Sequence, residues 1–141
     1  MDRREFLAAA AGGGLVSTAG CSGVSEDPGP FDFGITNWRR REYTAEVLLR
    51  KNEDVELIDG RFDIAANEPD REDPPGIYLR DVTRVRNGDV IDARVALDGE
   101  PYRGRYEVTC NRTADFENDF FLRIRSGDAG RIEFSGSECG V

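Results

Sequence analysis

From Phe31 to Phe134 apolar side chains recur at every second position, and this alternation constrains the fold more than any other feature of the chain. Successive side chains on an extended strand point to opposite faces, so each alternating run specifies a strand with one buried face. Phe31, Phe33 and Ile35 form the first row, and Tyr43, Ala45, Val47 and Leu49 the second. Val55 and Leu57, then Phe62 and Ile64, give two shorter rows. Ile77 and Leu79 are followed out of step by Val82 and Val85, which implies a strand carrying a bulge. Ile91, Ala93, Val95 and Leu97 alternate cleanly; so do Tyr106, Val108 and Cys110, then Phe120, Leu122 and Ile124, and finally Ile132 and Phe134. No segment carries the 3.6-residue period of an amphipathic helix.

Turn residues separate the rows. Asn87-Gly88, Asp98-Gly99 and Asp59-Gly60 are dipeptides that favour tight hairpins, because their residues tolerate positive φ. Gly127 to Gly130 closes the last pair of strands. The one long connection, Asn67 to Gly76, contains Pro69, Pro74 and Pro75 and is expected to cross between two sheets. The expected fold is all-β: an antiparallel sandwich of about seven to nine strands over residues 31–141. A small Greek-key barrel is the alternative arrangement of the same strands.

The residues ahead of the strands have a different character. Arg3-Arg4, one spacer and Phe6-Leu7 resemble the twin-arginine export signal, and the mildly apolar run from Phe6 to Val16 resembles its hydrophobic region. This run is too short to span a bilayer, and Gly12-Gly13-Gly14 disfavours a packed helix. Ser17-Thr18-Ala19-Gly20-Cys21 resembles a lipobox, with Thr18 where the pattern usually has an aliphatic residue. The resemblance implies a signal peptide over 1–20, a lipid on Cys21, and export of folded cargo to the outer face of the membrane. Residues 21–30, rich in Ser, Gly, Pro and acidic side chains, are expected to form a flexible tether.

Charge narrows the function classes. The chain carries 19 Lys+Arg against 28 Asp+Glu, a net charge of -9, so nucleic acid is not an expected partner. Lys51 is the single lysine, and every other basic residue is arginine. Many carboxylates with almost no lysine resemble the surface chemistry of salt-adapted archaeal proteins, where screening over about 3 Å at 1 M salt suppresses self-repulsion. The strand and turn pattern is also similar to the immunoglobulin-like domains of haloarchaeal surface lipoproteins. Ile35-Thr36-Asn37 leading into the Tyr43 row carries this resemblance, as does Asn87-Gly88 leading into Val95-Ala96-Leu97-Asp98-Gly99. It implies fold and location, and no activity.

With Cys21 assigned to lipid, Cys110 and Cys139 are left as a candidate disulfide in an oxidising compartment. Asn111-Arg112-Thr113 matches the N-glycosylation sequon.

The chain has no histidine, which removes Ser-His and Cys-His catalysis and a blue-copper centre, and no phosphate-binding Gly-Lys loop is present. No cofactor is expected. Asp115, Glu117 and Asp119 alternate as early ligands of a calcium loop do, and form the one metal candidate. Trp38 with Arg39, Arg40 and Arg41 is the candidate partner patch, suited to an acidic cell-surface protein or glycan. The expected function is a lipid-anchored binding or structural module; a small carboxylate-dependent cell-surface hydrolase is the alternative.

Overall fold

The computed structural model describes residues 27–127 and 130–138. Eight strands follow in chain order: β1 (Gly29–Asn37), β2 (Tyr43–Lys51), β3 (Val55–Ile64), β4 (Gly76–Val85), β5 (Val90–Leu97), β6 (Glu100–Glu107), β7 (Asn118–Ile124) and β8 (Ile132–Gly136). They form two four-stranded sheets, ordered β4-β1-β7-β8 and β3-β2-β5-β6. The expected all-β sandwich is the observed architecture. All strand pairs are antiparallel except β1 with β7, which run parallel from Phe31↔Asn118 to Asn37↔Ile124.

The alternating rows supply the core. Phe31, Phe33, Ile35, Leu122 and Ile124 from one sheet meet Ala45, Val47, Leu49, Ile91, Ala93 and Val95 from the other, all at most 2% exposed. Burying one such large side chain contributes roughly 1.5–3 kcal/mol. Aromatic rings bridge the two sheets: Tyr106 stacks on Phe120 at a centroid distance of 5.4 Å, and Phe120 stacks on Phe134 at 5.1 Å. Phe134 reaches this place because Gly104 has no Cβ, which would collide with its ring.

Three local expectations are corrected. Asp59-Gly60 makes no turn: both residues lie inside β3, with Gly60 opposite Val47 and Asp59 opposite Leu48. A continuous partner strand satisfies their backbone groups, and this overrides the turn preference of the dipeptide. The hairpin that joins β2 to β3 is instead made by Asn52 (φ 52°) and Glu53 (φ 67°). Asn87-Gly88 is a turn, but it carries the chain from β4 in one sheet to β5 in the other and closes no hairpin. Finally, Gly29 and Pro30 belong to β1, opposite Val85 and Arg84, so the strand begins inside the expected tether.

Other expectations match. Asp98 (φ 48°) and Gly99 (φ 88°) form the β5–β6 hairpin turn. The Asn67–Gly76 segment joins the two sheets, from β3 to β4. The bulge in β4 lies at Asp81 (φ 50°), where pairing shifts from Phe33↔Leu79 to Phe31↔Thr83.

Candidate functional site

The Trp38–Arg41 segment links β1 to β2 and lines a depression of about 390 Å³ together with Tyr43, Ser126 and Gly127. Its arginines are largely engaged within the fold. Arg39 donates to the carbonyls of Arg125 (2.9 Å) and Gly130 (2.6 Å) and to the Tyr43 hydroxyl (3.1 Å). Arg41 pairs with Asp98 at 2.8 Å, and its guanidinium lies 4.8 Å from the Tyr43 ring centroid. Asp98 also accepts from the Thr44 backbone N–H. That bond holds its carboxyl below the usual carboxylate range, and Arg41 adds to the effect. Asn37, fully buried, fixes the segment by donating to Arg41 O and Ala65 O and accepting from Arg39 N. Within the run, Arg40 is the exposed arginine with no bond or ion pair to a described residue. The stretch thus cross-links loops through Arg39 and Arg41 and leaves Arg40 open at the surface.

The acidic candidate is regrouped by the fold. Glu117 and Asp119 come together with Asp32, their carboxylate oxygens within 4.8 Å of one another. Parallel pairing places Asp32 directly beside Asp119. Asp115 does not join this cluster, because it sits exposed in the Thr113–Phe116 turn. The three carboxylates border a depression of about 150 Å³ on the outer face of the β4-β1-β7-β8 sheet, with Tyr78, Arg80 and Phe121. Desolvation by burial pushes the Asp119 carboxyl above its ordinary value, and the charges of Asp32 and Glu117 push it the same way. Asp32 also accepts from the Asp81 N–H at 2.7 Å, so the β4 bulge is tied to this corner. Sequence reasoning missed Asp32: it sits in an alternating strand 85 residues before Glu117, and only parallel pairing joins the two.

Asn111 is fully buried. Its amide nitrogen donates to Asp27 O at 2.7 Å and Val85 O at 3.4 Å, while its side-chain oxygen accepts from Asn118 Nδ2 at 3.4 Å. A glycan on that nitrogen would have to displace these partners and enter the packed interior. The Asn111 carboxamide thus ties the chain just ahead of β1 to β4 and β7 at one end of the sandwich. Cys110, next to it, is buried at 1% exposure, with Sγ 3.7 Å from Thr109 Oγ1.

Arg3, Arg4, Cys21 and Cys139 lie outside the described residues. Among the described residues no helix is long and apolar enough to cross a membrane. In comparison with known proteins, no family model matches the chain and no curated protein shows significant similarity to it.

Proposed function

We propose that the chain is a lipid-anchored, extracytoplasmic β-sandwich that works as a binding module, of the immunoglobulin-like kind that its strand pattern resembles. The observation that carries this reading is the closeness of the lipobox-like Cys21 to the folded domain, whose first strand begins at Gly29. Eight residues of extended chain span at most roughly 26–29 Å, enough to hold the domain near a membrane surface while leaving it free to turn. A net charge of -9 gives the domain no attraction to anionic headgroups, so the lipid supplies the attachment. The deciding experiment is fractionation of cells that express the full chain. The parent is expected in the membrane fraction and Cys21→Ser in the soluble fraction; a membrane-bound Ser variant overturns the anchor.

The same reading includes a Cys110–Cys139 disulfide. Cys110 is buried, at 1% exposure, on the core side of the sandwich. The register of β8 supports the pairing: Phe120 faces Gly136, and Ser137 N donates to Asp119 O at 2.9 Å. Ser137 thus lies at the end of the sandwich where Asn118 meets Asn111.

A cell-surface hydrolase is the second reading, favoured by one observation: Asp119 has a raised pKa beside two further carboxylates. Turnover of chromogenic glycosides that disappears in Asp119→Asn would support it, and absence of turnover in the parent would remove it.

A further inference from the structure

The outer face of the β3-β2-β5-β6 sheet concentrates arginine in an otherwise acidic molecule. Arg50 on β2, Arg94 on β5, and Arg103 and Arg105 on β6 are all exposed and border one depression of about 330 Å³. The strand register sorts them into two rows. In one, Asp92 lies between Arg50 and Arg105 and balances them. In the next, Leu48 faces Arg94, and Arg94 faces Arg103 directly across the β5–β6 ladder. Like charges placed directly opposite in an antiparallel pair cost stability. Among the described residues, none of the four guanidinium groups has a carboxylate within ion-pair distance or a hydrogen bond. The Arg94–Arg103 pair thus carries an electrostatic cost that no ion pair among the described residues relieves, and its planar donors remain open to an oxyanion.

A second depression, of about 190 Å³, adjoins the first and shares Leu48, Arg94 and Arg103 with it. It adds Ala96 and Pro101 as apolar floor and Glu46 and Asp59 as carboxylate edges. The two together make one elongated trough with an anion-accepting middle at Arg94 and Arg103, flanked by the carboxylates Glu53 and Asp92 in the first depression and Glu46 and Asp59 in the second. A polyanionic peptide or a phosphate-covered surface would be repelled by Glu46 and Asp59. A sugar chain with spaced acid groups fits both: its carboxylate meets Arg94 and Arg103, its hydroxyls donate to Glu46 and Asp59, and its C–H faces rest on Leu48 and Pro101. We infer that this trough binds an acidic polysaccharide through a uronate carboxylate held between Arg94 and Arg103. The inference deepens the binding-module reading and rests on it.

The test is calorimetric titration of the dissolved full-length chain with a hexasaccharide in which glucuronic acid alternates with neutral N-acetylglucosamine, a neutral glucose hexamer and a hexaglutamate peptide. The uronate oligomer is expected to bind, with the neutral sugar and the peptide weaker by about tenfold or more. Arg94→Gln combined with Arg103→Gln is expected to weaken uronate binding by about tenfold or more, while Arg61→Gln on the same sheet leaves it unchanged. The double variant should keep or raise the melting temperature, because a repulsive pair is removed. No uronate binding overturns the inference. So does hexaglutamate binding equally well, which would mark an acidic-peptide site, or a loss of binding that accompanies a lowered melting temperature. Failure of this titration leaves the Cys21 fractionation, and with it the anchored reading, standing on its own.

Discussion

The side chain of Asn87 pairs with both backbone groups of Asn111: Asn111 N donates to Asn87 Oδ1 at 2.8 Å, and Asn87 Nδ2 donates to Asn111 O at 3.0 Å. One carboxamide thus takes the place of a neighbouring strand for the segment after β6. Removing it in Asn87→Ala leaves a buried donor and acceptor unpaired. A loss of roughly 1–3 kcal/mol is expected in chemical denaturation. A change within experimental error would show that water replaces the side chain.

Asn111 itself is expected to carry no glycan. Its amide nitrogen is held by Asp27 O and Val85 O inside the folded domain. Peptide mapping of the protein from its native source should return the unmodified mass at this residue. A glycan there would mean that this end of the sandwich is open when the sugar is added.

Asp98 links the β5–β6 turn to the start of β2, through Thr44 N and Arg41. Its pKa is lowered in the folded state, so its contribution is present above the unfolded value of about 3.9 and is lost as pH falls through the folded value. Asp98→Asn should therefore be less stable than the parent at neutral pH. The difference should shrink in acid, measured as paired melting curves down the pH scale. A difference that is constant with pH would place the effect in hydrogen-bond geometry rather than in charge.

Asp119 has the opposite sign. Its folded pKa is raised by burial and by two neighbouring carboxylates, so its ionised form costs stability, and that cost is relieved as pH falls through the folded value. Asp119→Asn should melt at or above the parent's temperature at neutral pH and lose its advantage in acid. A variant less stable at neutral pH would show that the carboxylate has an attractive partner.

The proposed Cys110–Cys139 disulfide predicts a mass about 2 Da below the fully reduced chain in unreduced protein. Opening it should cost about 3–4 kcal/mol on the chain-entropy model for a loop of this size. A full complement of free thiols would remove the pairing.

Alternation determined most of the side chains that form the core, although Val55, at the start of one row, is 47% exposed. Phe31, Val47, Val95 and Leu122 were assigned to the buried face by their phase, and all four are buried. Period two fixes the face whatever the partner strand, so it survives any sheet order. The Asp98-Gly99 hairpin was legible for the same reason, since positive φ is a local demand. What lay beyond reach was every feature set by pairing between distant strands. Asp59-Gly60 carries a turn signal, and only β2 alongside shows it to be strand. Asp32 meets Asp119 because β1 and β7 run parallel, and Arg94 faces Arg103 only in the register that β5 and β6 adopt. A sequon is likewise a local pattern, while burial of Asn111 depends on β4, β7 and the chain ahead of β1 converging on it. The sequence by itself determined the strands and their inward faces, because these follow from local backbone geometry. Which charges and amides became neighbours was decided by sheet order and register, which depend on long-range packing.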